Sequence, residues 1–399
     1  MKRRIGMILD QKFPPDVRVE NEALSLVRAG FEVYLFCYAY KQEATEEDYR
    51  GIQIRRIRAS HDRIKRMRAL VNVIPVYEKY LLHKILSFIE KNHIDILHVH
   101  DLYLLGICLK IKDLTGITIV SDLHENYVEG LRYYNFANTF PGNILINLNK
   151  WRRAEIAWLT RVDKIIVVVQ EAAQRLKLLG IDDRKIAVVE NYLNYVDYDL
   201  QALQLDIVER YKYQFIMSYI GRIDFHRGLH TVVEAMQRLK SNSLPVKFVI
   251  VGSGTISKQL KLKTNTSALE DQIEFLGLQP HEHLRSYVEA STIGIIPHLK
   301  TGHTDNTLPH KLFHYMYLKK PVLVSNCDPL KRIVEHCSCG KVFINGDPQD
   351  LAAKIEWFWY NAESLDRMGN NGYQALMKEY NWDNAEKRLI SLYEKIEQR

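Results

Sequence analysis

Short, continuously apolar runs recur along the chain, separated by longer stretches with helical spacing. Arg4–Leu9, Phe31–Phe36, Ile94–Val99, Ile117–Leu123 and Lys164–Val169 are apolar along most of their length. A strand wetted on one face alternates polar and apolar residues. Runs without alternation belong to strands covered on both faces, as in a parallel sheet. Between them, Val17–Ala29, Tyr77–Lys91, Leu104–Leu114 and Glu171–Leu179 carry helical periodicity, and Gly30 supplies a C-terminal stop for the first. The pattern restarts with the strand Phe215–Ile220, the helix Leu229–Leu239 and the strand Val246–Val251. Further strands follow at Gln272–Leu276, Ile293–Pro297, Pro321–Ser325 and Lys341–Ile344. Strand and helix in alternation, twice over, predict an α/β protein of two doubly wound domains. Tyr192–Tyr213 lacks strand character and is rich in Tyr, Asn and Asp, which predicts an interdomain linker. The domains are accordingly expected at residues 1–200 and 201–379, with an amphipathic closing helix at about 380–399.

Composition agrees with this picture. The 399 residues suit two domains at roughly 100–200 residues each. An apolar fraction of 47% with 26% charged residues excludes a disordered or fibrous chain. No apolar run approaches the roughly 18–20 residues that span a bilayer. The basic start has too few apolar residues before Asp10 to be a signal peptide, so a cytoplasmic protein is expected. Cys37, Cys108, Cys327, Cys337 and Cys339 are odd in number and contain no C-x-x-C pair, which points to reduced thiols.

Tandem doubly wound domains bind ligands beyond the carboxyl ends of their strands, so chemistry is sought there. After Phe215–Ile220 come Gly221, Arg222, Arg227 and Gly228. Paired guanidinium forks suit a pyrophosphate, although spacing alone equally allows surface-loop arginines. Asp305–Met316 reads as a helix entry, with Thr307 as N-cap and Pro309 in the first turn, aiming free amides at an anion; by itself it is an ordinary capped helix. His98, His100 and Asp101 end one strand; Asp122, His124 and Glu125 end the next. Histidines on one strand face invite a metal-site reading, but a histidine ending a buried strand more often serves as a hydrogen-bonded cleft residue. No metal is expected, and His124 stands out. Gly252 and Gly254 open a strand-to-helix turn, and Gly277 ends another strand; both signals are weak. Residues 50–68 hold eight basic side chains (Arg50, Arg55, Arg56, Arg58, Arg63, Lys65, Arg66, Arg68) against Asp62 alone. A solvated loop is the commoner meaning, and an electrostatic foot on anionic lipid the sharper one. Nucleic acid is not expected, since no aromatic platform interleaves the charges.

Taken together these motifs resemble the retaining glycosyltransferases of the GT-B fold, specifically family 4 (glycosyl transferases group 1), over nearly the whole chain. The resemblance rests on Asp16-Val-Arg18-Val-Glu20, His98-x-His100-Asp101, Asp122-x-His124-Glu125, Gly221-Arg222 with Arg227-Gly228, Leu308-Pro-His-Lys-Leu-Phe-His-Tyr-Met, and Trp382 before the closing helix. It implies that Arg222 and Arg227 bind a nucleotide-sugar diphosphate, helped by the amides of Thr307 and Leu308. Gly252, Gly254 and Gly277 lie near the base. His124 meets the donor sugar, and the acceptor side includes Asp16, Arg18 and Glu125. The closing helix packs back on the first domain. Family members commonly carry glutamates where this chain has Asn306 and His314; the first meets the sugar, the second the ribose. The implied activity is metal-independent transfer to a glycan or lipid-linked acceptor at the inner membrane face. The alternatives are a non-catalytic GT-B subunit and a nucleotide-sugar 2-epimerase.

Overall fold

The computed structural model describes residues 3–140, 142–199 and 202–398. The chain divides into two compact units, residues 1–191 with 385–399, and residues 192–384. The boundary expected at residues 200 and 201 lies outside the described residues. Tyr192–Tyr213 is not a bare linker but belongs to the second unit, where it includes the helices Tyr195–Asp199 and Leu205–Tyr211. Its tyrosines are anchors. The Tyr192 ring meets Phe313 at 5.0 Å, and buried Tyr211 donates its hydroxyl to Glu274 at 3.1 Å. Tyrosine reads as polar in a sequence pattern, yet its ring buries like an apolar residue when the hydroxyl finds a partner.

The first unit is built on an eight-stranded sheet. Its strands are β1 (Arg4–Lys12), β2 (Glu32–Ala39), β3 (Glu46–Tyr49), β4 (Ile52–Arg58), β5 (Ile96–His100), β6 (Thr118–Leu123), β7 (Lys164–Val167) and β8 (Ile186–Val188). They lie in the order β3-β4-β2-β1-β5-β6-β7-β8, parallel except for the β3–β4 pair. The five strands expected from apolar runs are present. The others escaped the pattern for physical reasons. β4 alternates, but Arg56 occupies an inward position. Its guanidinium is satisfied there by the carbonyl oxygens of Phe13 (3.0 Å) and Ala44 (2.9 Å) and by the Glu47 carboxylate (2.6 Å). β3 is an acidic edge strand, the kind of edge that resists pairing with another chain. β8 has only three residues.

The basic run 50–68 is therefore strand β4 followed by a helix, His61–Ala69, rather than a loop. Much of its charge is used internally: Arg56 as above, Arg50 on Glu20 and Arg68 on Asp10. Arg63, Lys65 and Arg66 remain exposed.

The second unit has a six-stranded, wholly parallel sheet of β9 (Phe215–Ile220), β10 (Val246–Val251), β11 (Ile273–Gly277), β12 (Ile293–Ile296), β13 (Val322–Ser325) and β14 (Gly340–Phe343). The order is β11-β10-β9-β12-β13-β14. All six strands match the expected runs within a residue or two. On one face Met217, Phe248 and Ile250 pack with Val232, Met236, Ile355 and Phe358 from helices. Each such side chain contributes about 1.5–3 kcal/mol when fully buried. On the other face Tyr315 donates its hydroxyl to the Ser218 carbonyl at 2.8 Å. Strand order reverses between β9 and β12, which puts the switch point of this sheet beyond Ile220 and Ile296.

The closing helix is Trp382–Glu397, and from Ala385 onward it belongs to the first unit. Within that unit Tyr393 bonds His98 (2.7 Å), Glu386 pairs with Arg28 (3.0 Å) and Arg388 with Glu190 (2.6 Å). Among the described residues no helix is long and apolar enough to cross a membrane.

Candidate functional site

In the first unit the site grows from α1 (Val17–Arg28). Asp16 caps this helix, its Oδ1 accepting from the Val19 amide at 3.1 Å. Arg18 and Glu22 follow one turn apart on the buried face and pair at 2.7 Å. The Arg18 guanidinium also grips Asp122 with both prongs, Nη2 to Oδ1 at 2.6 Å and Nε to Oδ2 at 3.2 Å. On β5, His98 and His100 share a face, and the parallel register sets His100 beside Asp122 on β6. His124 lies two residues beyond Asp122, so it projects from the same side of the strand end.

Three imidazoles converge on one carboxylate oxygen. Asp122 Oδ2 is 2.7 Å from His124 Nε2, 3.1 Å from His100 Nδ1 and 3.7 Å from His98 Nε2. Burial alone would neutralise Asp122, but the Arg18 and His124 charges hold it well below the usual carboxylate range. Burial likewise opposes charge on His124, yet Asp122 and then Asp101 raise it to about 10. His100, desolvated and next to His98, falls to about 4. His124 is thus an imidazolium at neutral pH, half-buried, while His100 is a neutral donor. Asp101, pushed up to about 6 by its burial, sits with Oδ1 3.8 Å from His124 Nδ1. Its φ of 70° with ψ of 141° is rare for a residue with a Cβ, and such strain of about 1–3 kcal/mol collects at functional sites.

Ligand atoms of Glu22, His98, His100 and Asp122 lie within 4.8 Å of one another, the spacing of a metal site. Arg18 already bonds both carboxylates there, so an added divalent ion would compete with an internal cation. Of the residues expected on the acceptor side, Arg18 is interior and acts on Asp122, Asp16 is a helix cap, and Glu125 accepts from the Tyr134 hydroxyl.

In the second unit the polar groups gather at the switch point. Gly252 follows β10 at φ 141°, and a Cβ there would lie 1.9 Å from the Gly221 carbonyl oxygen. Only glycine lets these strand ends touch. The Gly252 amide donates to the Gly277 carbonyl at 2.8 Å, which ties in the end of β11. Gly254 is pressed against Ile223. Asp224 knits the two turns together, its Oδ2 accepting from Arg222 Nε (2.8 Å) and its Oδ1 from the Thr255 amide (3.1 Å). Arg222 then reaches outward, its side chain 72% exposed.

Arg227 is half-buried and fixed across the switch point by His298, Nη1 to Nε2 at 3.3 Å. A guanidinium only donates, so His298 must accept and be neutral. Its burial and the Arg227 charge do hold it well below the usual histidine value. Gly228 permits the approach, since a Cβ there would collide with the Pro297 carbonyl at 1.8 Å.

The helix entry differs from expectation. The helix is Lys311–Tyr317, seven residues, with His310 before it. Thr307 is extended, not an N-cap, and bonds the His303 carbonyl at 3.4 Å; Leu308 is buried. Proline at 309 lies before the first turn, so the amides of Thr307 and Leu308 belong to a loop. Asn306 donates to Gly302 at 2.8 Å, and its Oδ1 is buried without a hydrogen-bond partner. His314 pairs with His310 at 3.0 Å, and burial with that neighbour keeps it well below the usual histidine value.

The motifs located the strand ends but missed Asp122 as organiser, His298 as acceptor and Lys311, whose Nζ lies 3.5 Å from the Tyr219 ring centroid. Asp122 could have been found from its spacing to His124; the other two show only in three dimensions.

Two parallel-sheet α/β units with polar groups at their strand ends are the architecture of the GT-B glycosyltransferases. The family model described as "Glycosyl transferases group 1" matches residues 203–375, and "Glycosyltransferase Family 4" matches residues 16–194. The chain belongs to the GT-B glycosyltransferases of this group 1/family 4 type. It is 24% identical to a putative colanic acid biosynthesis glycosyltransferase, WcaL, of Salmonella typhimurium over 59% of this chain and 57% of that one. Identity to the amylovoran biosynthesis glycosyltransferase AmsK of Erwinia amylovora is 29% over 34% and 33%. The matched stretch thus spans about half or less of these curated relatives. An uncharacterized glycosyltransferase of Methanocaldococcus jannaschii aligns over 94% of this chain and 93% of its own at 19% identity. In fold the chain is similar to sucrose-phosphate synthase from Thermosynechococcus elongatus, TM-score 0.80, 15% identity, with both chains covered fully. HepE from Anabaena in complex with UDP gives TM-score 0.72 at 14% identity, covering 99% and 100%.

Proposed function

We propose that this chain moves a sugar from a nucleoside-diphosphate sugar to a glycan or lipid-linked acceptor in polysaccharide assembly, with retention at the anomeric carbon and without a metal. The observation that carries this reading is the pair Arg222 and Arg227 at the β9/β12 switch point, the second held in place by neutral His298. Cleavage of the sugar–phosphate bond builds negative charge on the leaving diphosphate. Fixed guanidinium groups stabilise that charge as a divalent cation does elsewhere. In the second unit the unpartnered Asn306 Oδ1 accepts from a hydroxyl of the donor sugar. Gly277, where a Cβ would meet open space, faces the base, and Gly252 and Gly254 let the strand ends around it close up. The acceptor belongs to the first unit near Glu125, with Arg18 acting from beneath through Asp122. Relatives named for colanic acid and amylovoran synthesis support polysaccharide assembly, and the UDP complex of HepE supports a uridine nucleotide as first candidate.

Thermal shift against UDP, GDP, ADP and CMP, each with and without EDTA, tests the reading. A site at about 100 times its dissociation constant gains about 2.7 kcal/mol. One diphosphate should raise the melting temperature regardless of EDTA. No rise with any nucleotide favours a non-catalytic GT-B subunit, a role consistent with Asn306 and His314 standing where glutamates are usual.

We assign peripheral contact with the inner face of a membrane to Arg63, Lys65 and Arg66, at about 1 kcal/mol each on anionic lipid. Neutralising all three should abolish sedimentation with vesicles containing an anionic lipid. Unchanged sedimentation would remove the membrane from this account.

A further inference from the structure

Lys311 sits in an electrostatic setting that nothing within the described residues resolves. It opens the helix Lys311–Tyr317, and its ammonium lies flat on the Tyr219 ring, 3.5 Å from the centroid. A Cβ built on Gly221 would stand 2.9 Å from Nζ, so the ammonium hovers directly over the glycine that precedes Arg222. Among the described residues no carboxylate pairs with it and no acceptor takes any of its three protons. The groups facing it cannot serve as counter-ion. Tyr219 on β9 stays protonated, its hydroxyl donating to the Arg222 carbonyl. Arg227, from the loop after β9, is a second cation. His298 at the end of β12 is neutral, and so is His314 on the same helix. A half-buried ammonium held on a ring face without a carboxylate partner is a ready counter-charge for an anionic ligand. Elsewhere in this unit Lys300 meets Asp328, and Lys263 meets Glu234.

We propose that Lys311 is a third cation for the donor diphosphate, set beside Arg222 and Arg227 over Gly221 and matched to the leaving nucleoside diphosphate rather than to the intact donor. This rests on the nucleotide-sugar reading above. The diphosphate of a nucleotide sugar carries two negative charges. When the bond to the anomeric carbon breaks, the electron pair stays on the phosphate oxygen and a third charge develops there. Arg227 and Arg222, the latter shared with Asp224, meet the charge of the intact donor, and the lysine meets the increment. Interactions stronger in the product-like state than in the ground state are the ones that accelerate bond cleavage. Burial and Arg227 disfavour the charged form of Lys311, and an arriving anion offsets both.

The test is calorimetric titration of the intact chain with inorganic pyrophosphate, UDP and UDP-glucose at pH 7.5. It compares wild type with Lys311→Met and Lys311→Arg. Lys311→Met should weaken pyrophosphate and UDP by tenfold or more and UDP-glucose by less. Its melting temperature without ligand should be unchanged or higher, because an unpaired charge has been removed. A lysine that only braces Tyr219 would give the reverse, a lower melting temperature with binding intact, and that result would overturn the inference while leaving the nucleotide site standing. If Lys311→Met does not fold, Lys311→Gln takes its place, and unchanged affinity for pyrophosphate and UDP overturns the inference equally. Failure of wild type to bind pyrophosphate or any nucleoside diphosphate would overturn both this inference and the function on which it rests.

Discussion

Asp122→Asn is expected to destabilise the protein by about 3–5 kcal/mol and to remove the charge from His124. The loss follows from what the variant leaves behind. Arg18 is buried and shares its guanidinium between Asp122 and Glu22; without the first carboxylate it keeps only part of its compensation. Breaking one side of a buried ion pair costs about this much because the remaining charge stays desolvated. His124 supplies a pH signature. Its folded value of about 10 lies above the ordinary 6.5, so the native state holds a proton that the unfolded chain releases in between. Its contribution is therefore complete below pH 6.5 and is lost as the pH rises through about 10. Urea unfolding at intervals from pH 6 to pH 10 should show wild type and variant converging as the pH rises. A gap that stays constant over that range would mean that Asp122 does not set the charge on His124.

The second large effect is expected at Arg227. Arg227→Met should lower kcat/KM for nucleotide release by about 10²–10³-fold, the usual consequence of removing one preorganised donor from a developing oxyanion. Arg222→Met should cost less. Arg222 is mostly solvent-exposed and already shares its Nε with Asp224, whereas Arg227 is half-buried and pinned by His298. A donor held in place stabilises charge without reorganising, and water screens it less. Steady-state nucleotide release with the donor chosen by thermal shift decides the order. Equal effects, or a larger one at Arg222, would place the diphosphate outward of the switch point.

Long strands covered on both faces were readable because burial on each side forces an unbroken apolar run, as in β1, β6, β9 and β10. The three strands missed were an acidic edge, a three-residue strand and one whose inward Arg56 breaks the alternation. The site was readable as far as its motifs sit at strand ends, since a parallel sheet always delivers those positions to the same rim. The roles of Arg18 and Thr307 were not readable. Arg18, from an exposed-looking motif, turns inward because Asp122, 104 residues away, lies against its helix. Thr307, which has the composition of a cap, lies in a loop because the helix starts four residues later.

The sequence by itself determined the two α/β units, nearly all the strands that position chemistry, and the arginines and histidine that end them, because apolar periodicity and side-chain type are local properties. Only the tertiary structure decided that one carboxylate charges His124, that neutral His298 holds Arg227, and that Lys311 lies unpaired beside it. Those are properties of charges desolvated together, and the residues concerned meet only after the strands that carry them have paired.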